Sequence, residues 1–282
     1  MDKGDLIKLA TEFIRNSESN LIGKETALSE EVVGLKIYED PILGFGSADD
    51  LCFLDLKSGD ANLRWMLLPD EWLPGAKTVI SFFLPFSKEV KDSNKKDFKL
   101  PSPGWLHARI EGQALLADLT AYLVKELVQA GYESMAPLLD KRMWSITKAV
   151  EQEPHSDASF TSNWSERHAA YVCGLGTFGL SKGLITRKGV AGRFGSIITQ
   201  LYLNPDERDY TGIYDYCTMC GKCANHCPVR AISLESGKAH PPCSEFLDYT
   251  SRKFAPRYGC GKCQIDVPCE SCIPVTVRAC SG

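Results

Sequence analysis

Apolar residues recur at helical spacing near the start of the chain, where Leu6, Leu9, Phe13 and Ile14 mark one face between Asp5 and Arg15 and predict an opening helix. The same period runs from His107 to Ala130 through Ile110, Leu115, Leu119, Tyr122, Leu123 and Leu127, with Gly131 placed to end a long core helix. Two apolar runs read differently. Thr78-Val-Ile-Ser-Phe-Phe-Leu84 is rich in branched and aromatic residues, follows Pro74-Gly75 and closes at Pro85, which predicts a buried strand. Ser196-Ile-Ile-Thr-Gln-Leu-Tyr-Leu203 predicts another, and the polar Asn204-Pro205-Asp206 after it puts a domain boundary near residue 208. Lys88, Lys91, Lys95, Lys96 and Lys99, mixed with Asp and Ser ahead of Pro101-Ser-Pro103-Gly104, read as a solvated loop rather than a lid or anion site.

Composition narrows the class. At 282 residues, 44% hydrophobic and 24% charged, the chain can bury one good core plus a small satellite domain. No apolar run is long enough to span a bilayer, so no membrane part is expected. A net charge of -4 and a pI near 5.8 argue against a broad nucleic-acid surface. Met1-Asp2-Lys3-Gly4-Asp5 leads into a polar amphipathic stretch without an apolar core or twin arginine, which predicts a reducing, cytoplasmic setting.

Cysteine spacing carries the chemistry. Cys217-Thr-Met-Cys220-Gly-Lys-Cys223-Ala-Asn-His-Cys227-Pro228 has the C-x2-C-x2-C-x3-C-P spacing with which bacterial-type ferredoxins wrap a cubane iron–sulfur cluster. Three thiolates on one tight loop reach three corners of a cube. The fourth, before proline, points away and in two-cluster proteins ligates the other cube, so a second run is expected downstream. Cys243, Cys260, Cys263, Cys269 and Cys272 supply it. Crossed ligation puts Cys227 with Cys243, Cys260 and Cys263, and leaves Cys217, Cys220 and Cys223 to Cys269, with Cys272 as the alternative eighth ligand. Zinc ribbons and disulfides fit less well: zinc pairs two C-x2-C knuckles across a longer gap, and disulfides want an oxidising compartment. Cys52 and Cys173 lie among apolar residues and read as buried small hydrophobes, and Cys280 is left open.

Some 200 residues precede these cysteines, far more than an electron shuttle needs. Within them Ser165-Glu-Arg-His-Ala-Ala-Tyr171 reads as the start of a helix, followed by glycines at 174, 176, 179 and 183. Gly174-Leu-Gly176-Thr-Phe-Gly179 has the outline of a dinucleotide fingerprint but follows a helix, not a strand, and so fails that test. A ligand-cradling loop is favoured over a glycine-rich connection packed in the core. Trp65, Trp72, Trp105, Trp144 and Trp164 read first as core and second as cavity lining.

Together the Glu-Arg-His-Ala-Ala and Gly-Leu-Gly-x-x-Gly segment, Gly195-Ser196 and the split eight-cysteine pattern resemble the epoxyqueuosine reductase family, related to the reductive dehalogenases, over about Pro74 to Pro274. That resemblance implies an α+β chain: a corrinoid-binding α/β domain of nitroreductase-like type over 1–208, followed by a two-cluster (2 × 4Fe-4S) ferredoxin domain over 209–282. It implies a base-off cobalamin held by Gly174, Leu175, Gly176, Thr177, Phe178, Gly179, Leu180, Ser181 and Ile185 and by the Arg193 to Ser196 turn with Gly195 and Ser196. Electrons from the clusters would reduce the corrinoid, whose cobalt attacks a carbon–oxygen or carbon–halogen bond.

Two departures qualify the likeness. The family's aspartate seven residues before the arginine of the Glu-Arg pair is replaced by Phe160, so Asp157, His155 or Tyr171 becomes the candidate proton donor. The chain also ends two residues after Cys280, without the further helical sequence that helps such reductases hold tRNA, so a small-molecule substrate is expected over tRNA, with a ferredoxin or flavodoxin as electron donor. Two competing readings are an electron-transfer protein acting on a partner, which predicts no cavity beside the glycine loop, and a corrinoid carrier.

Overall fold

The apolar run beginning at Thr78 becomes an inner strand of a four-stranded antiparallel sheet. The computed structural model describes residues 1–59, 63–148 and 159–275. In chain order its elements begin with α1 (Lys3–Asn16), β1 (Ile42–Ser47), α2 (Leu51–Gly59), α3 (Pro69–Trp72), β2 (Thr78–Pro85), α4 (Lys88–Ser93), α5 (Pro103–Gln129) and β3 (Ser134–Met135). There follow β4 (Ser145–Ile146), β5 (Thr161–Ser162), α6 (Glu166–Val172), β6 (Gly176–Phe178), β7 (Leu184–Thr186) and β8 (Gly192–Thr199). The cysteine-rich part holds α7 (Lys222–Asn225), β9 (Ile232–Ser233), β10 (Gly237–Lys238) and α8 (His240–Phe254). No helix among the described residues is long and apolar enough to cross a membrane.

The main sheet runs β1-β2-β8-β3. Side chains alternate along β2, so that Ile80, Phe82 and Leu84 enter a core with α1 and α5, while Val79 and Phe83 enter a second core with α6, Trp72 and Trp164. A strand covered on both faces has no polar side, which is why its sequence shows no alternation. The opening helix starts as expected, with Asp2 and Asp5 exchanging side-chain and backbone hydrogen bonds as a capping box. The long helix begins four residues ahead of His107, because the Ser102 hydroxyl accepts from the Trp105 amide and Pro103 sits in the first turn, where no N–H is missed.

Strand β8 also begins four residues early, at Gly192 instead of Ser196. A Cβ at Gly192 would lie 2.3 Å from the Leu84 carbonyl oxygen, and one at Gly195 would lie 2.4 Å from the Phe82 ring. The strand therefore needs residues that strand propensity counts against. It stops at Thr199, whose hydroxyl accepts from Ser134 Oγ at 2.7 Å and from the Leu201 amide at 3.1 Å.

Packing continues across residue 208: Tyr210 belongs to the second core and Ile265 to the first. The lysine-rich stretch is part of this seam, not a loop in solvent. Lys88, Lys96 and Lys99 are exposed, but Lys91 is buried and donates to Ser271 Oγ at 2.7 Å, and Lys95 pairs with Glu270 at 3.0 Å. Between them buried Asn94 donates to the Cys260 carbonyl at 3.0 Å and accepts from buried Lys262 at 2.6 Å through its own carbonyl. Residues 88–99 thus clamp the second cysteine run.

Candidate redox and cofactor site

The eight cysteines of the two runs divide between two cavities. Cys217, Cys220, Cys223 and Cys269 line one, and Cys227, Cys243, Cys260 and Cys263 line the other, of about 160 Å³. Cys272 is exposed and lines neither, its Sγ lying 3.6 Å from the Pro268 carbonyl oxygen.

Backbone geometry makes this division. Met219 and Gly221 take φ of +50° and +71°, which curls the first run into a tight loop. Cys227 turns the other way, its Sγ accepting from the Ala231 amide at 3.2 Å. The Val190 and Ala191 amides donate to the Cys269 and Glu270 carbonyls at 2.9 and 3.3 Å, so the segment ahead of β8 carries Cys269 back to the first quartet. Gly189 makes this pairing close: with φ of +83°, its Cβ would stand 2.2 Å from the Glu270 carbonyl oxygen.

Burial pushes the Cys223 thiol up to about 11 and those of Cys260 and Cys269 up to about 12, and neighbouring cysteines push the same way. Sulfurs gathered this closely suit a polycationic centre that displaces their protons. Among the described residues no three His, Cys, Asp or Glu side chains converge on a single ion, and each quartet surrounds a cavity.

The structure places most of the glycine segment against the first quartet's cavity and the chain's own backbone. Gly179, Leu180, Ser181 and Ile185 line the first quartet's cavity. Gly176 pairs with Thr186 in the β6–β7 hairpin, and a Cβ there would fall 1.9 Å from the Ile185 carbonyl oxygen. Gly174 faces the Glu207 carbonyl, Leu175 is in the second core, and Thr177 Oγ1 accepts from the Tyr216 amide at 2.8 Å. Gly195 packs under the Phe82 ring, and buried Ser196 accepts from Trp164 Nε1 at 2.9 Å. Of the expected cofactor residues, only Phe178 reaches the large cavity described next.

That cavity, of about 620 Å³, shares Arg109, Lys238, Cys243 and Leu247 with the second quartet's cavity. Its other walls include Phe160, Arg167, His168, Phe178, Lys182 and His240. Arg167 donates to the Lys182 carbonyl at 2.6 Å, and Lys182 Nζ donates to His240 Nε2 at 3.2 Å. Burial first, then the charge of Lys182, pushes His240 down to about 4, so it accepts as a neutral ring. Phe160 stacks on that ring at 5.1 Å, with its own φ at +56°. Among the described residues four cations face the space against one carboxylate, Asp248, itself paired with Lys148 at 3.3 Å. The cavity is built for a large ligand carrying electron-rich or anionic groups.

Tyr171 stands apart from it. Packed between Phe178 and Tyr210, it directs its hydroxyl to the Thr211 carbonyl at 3.4 Å and does not line the cavity. Asp157, His155 and Cys280 lie outside the described residues. Trp72 and Trp164 are core, and Trp105 lines the second quartet's cavity.

Comparison with known proteins bears on the first cysteine run and on the fold. A model of the 4Fe-4S binding domain matches residues 210–233. The chain is 34% identical over 113 residues to the tetrachloroethene reductive dehalogenase of Desulfitobacterium hafniense, covering 38% of this chain and 20% of that protein. Among solved structures, the catabolic reductive dehalogenase NpRdhA superposes with a TM-score of 0.50 at 16% identity, over 83% of this chain and 30% of that one. Part of this chain is thus similar in sequence to a reductive dehalogenase, and its fold is that of a reductive dehalogenase. The epoxyqueuosine reductase of Streptococcus thermophilus gives a TM-score of 0.49 at 20% identity, over 81% of this chain and 62% of that one. The chain spans about a fifth of the length of the curated relatives it matches.

Sequence reasoning missed Lys182, His240, Lys238 and Arg109 as cavity residues. The position of His240, three residues before Cys243 at the start of α8, was the available signal. Glu166 turns from the cavity to Ser196 and Trp164, with Oε2 sealed and without a hydrogen-bond partner. Burial pushes its carboxyl up from 4.5 to about 7 against hydrogen bonds that pull it down. The folded chain then keeps a proton that the unfolded chain loses, so this group's contribution to stability falls as pH rises from about 4.5 to 7 and is constant above. Glu166→Gln is expected to stabilise the protein more at pH 8 than at pH 5.5, by on the order of 2 kcal/mol. Thermal unfolding at the two pH values checks it, and an equal gap at both refutes it.

Proposed function

We propose that this chain is an oxidoreductase that passes single electrons through two 4Fe-4S clusters to a corrinoid in the 620 Å³ cavity, for the reduction of a small organic molecule. The wall shared by that cavity and the second quartet, with Cys243 facing both, carries the reading. The two quartets would hold the clusters, and Phe178, Arg167, His168, Lys182 and His240 would surround the corrinoid. In these roles the clusters supply low-potential electrons and the corrinoid a nucleophilic metal centre. Residues 1–208 then carry cofactor and substrate, and 209–282 the clusters.

The chain's own groups exclude water and orient what is bound. Phe160 and Phe178 give the cavity apolar faces, while Arg109, Arg167, Lys182 and Lys238 offer donors to amide, phosphate or carboxylate groups. Asp157 and His155, three and five residues before Phe160, are proposed as proton donors to the substrate.

Anaerobically prepared protein is expected to contain about eight irons and to convert added hydroxocobalamin to a base-off spectrum at one corrinoid per chain. Refusal of the corrinoid by iron-replete protein would sink this reading in favour of an electron-transfer protein. Turnover is assayed with reduced ferredoxin or flavodoxin on two probes. One is 3-bromo-4-hydroxybenzoic acid, bound in one dehalogenase structure, and the other is an epoxyqueuosine-modified tRNA stem loop, bound in one epoxyqueuosine reductase structure. Tight corrinoid binding without turnover on either probe points to a carrier.

A further inference from the structure

The two quartets stand in unlike electrostatic surroundings. Arg109, Arg193 and Lys238 wall the cavity of Cys227, Cys243, Cys260 and Cys263. Among the described residues no charged side chain lines that of Cys217, Cys220, Cys223 and Cys269.

Arg193 is the more telling arginine. It lies in β8 opposite Leu84, donates from Nη2 to Gln113 Oε1 at 2.5 Å, and leaves Nε sealed from solvent with no acceptor. Arg109 meets Tyr258, whose hydroxyl is 2.8 Å from Nη2 and whose ring centre is 4.7 Å from the guanidinium carbon. Neither arginine has a carboxylate partner among the described residues. Burial, then the like charge of Arg109, lowers Arg193 only to about 10, so it remains charged at neutral pH. A half-buried guanidinium with a sealed Nε and no carboxylate partner is better kept where an anion offsets it, and a four-thiolate iron cube is such an anion.

We propose that Arg193 and Arg109 raise the reduction potential of the cluster held by the second quartet above that of the first, so that an electron from a low-potential donor settles beside the 620 Å³ cavity. This rests on the iron–sulfur reading above. One-electron reduction adds one negative charge to the cube with no bond made or broken, and fixed positive charge in a poorly hydrated cavity favours the added electron. Solvent at the first quartet, where Cys220 is exposed, screens charge there, whereas Arg193 Nε is shut off from water beside the second. Arg109 and Lys238 also line the 620 Å³ cavity, so the titrations are run without added corrinoid, and Arg193, which lines only the second quartet's cavity, is the cleaner probe.

Iron-replete protein is titrated anaerobically with dithionite in the presence of redox mediators and followed by electron paramagnetic resonance, comparing the parent with Arg193→Gln, Arg109→Gln and Arg193→Lys. In each neutral variant the reduced-to-oxidised ratio of one cluster at fixed potential is expected to fall at least tenfold, which is 59 mV for a one-electron couple, with the other cluster unmoved. Arg193→Lys is expected to keep most of the parent potential. Unshifted midpoints in iron-replete neutral variants overturn the proposal. Loss of half the iron from both neutral variants but not from Arg193→Lys overturns it too, since the charges would then hold the cube instead of tuning it. Should Arg193→Gln fail to fold, Arg109→Gln decides alone. A parent protein without iron overturns the iron–sulfur reading itself, which keeps the two failures apart.

Discussion

Cys269→Ala is expected to lower the iron content of anaerobically prepared protein from about eight to about four per chain, while Cys272→Ala leaves it unchanged. The two thiols are three residues apart, and spacing alone leaves the choice between them open. Geometry separates them. Cys269 shares a cavity with Cys217, Cys220 and Cys223, and these three are the cysteines that push its thiol upward once burial has acted. Its carbonyl is pinned by the Val190 amide at 2.9 Å, and it packs with Ile185, Val190 and Val267 in a small apolar cluster around the site. Exposed Cys272 has no such surroundings. Iron analysis with absorbance near 400 nm reads the result. Equal loss in the two variants, or loss in Cys272→Ala alone, would reassign the eighth position.

Legibility followed the physics of each segment. The cysteine runs left the plainest trace because their spacing fixes residue type and local geometry together, and the structure gathers Cys227 with Cys243, Cys260 and Cys263 around one cavity, the grouping that spacing suggested. Strand β2 and helix α5 were readable because burial on both faces or on one stripe leaves a direct trace in the apolar pattern. Where close packing replaced side chains with glycine, the pattern went silent: the first four residues of β8 hold Gly192 and Gly195, and no periodicity registers a strand there.

The large cavity was the least legible part, because it is a tertiary product. Its walls come from α5, α6, the β6–β7 hairpin and α8, and no local motif announces that Lys182 will meet His240 across 58 positions. The glycine segment was only half legible for a related reason. Conformational freedom and close approach are visible in sequence, but the partner approached is not, and here it is mostly the chain's own backbone and the first quartet. The lysine-rich stretch hid its role likewise, since Lys91 and Lys95 find Ser271 and Glu270 only after the second cysteine run folds onto α4.

The β6–β7 hairpin is the place where one methyl group should do most damage. Gly176→Ala is expected to destabilise the protein by about 3 kcal/mol or more, against about 1 to 2 kcal/mol for Gly131→Ala. Gly131 has open space around it, so alanine there suffers only from the φ of +91° that ends α5. At Gly176 the obstacle is the Ile185 carbonyl oxygen, 1.9 Å from the added carbon, with Thr186 Cα 3.1 Å away. Backbone cannot rotate out of the way as a flexible side chain could, so β6 and β7 must separate. That separation moves Phe178 from the large cavity and Gly179 and Ile185 from the first quartet together. Iron and corrinoid uptake should therefore fail along with the thermal midpoint in Gly176→Ala, while Gly131→Ala keeps both ligands at a modestly lowered midpoint. Loss of corrinoid with full iron and an unchanged midpoint would mean instead that Gly176 touches the cofactor directly, and the hairpin packing described here would not be the reason for the glycine.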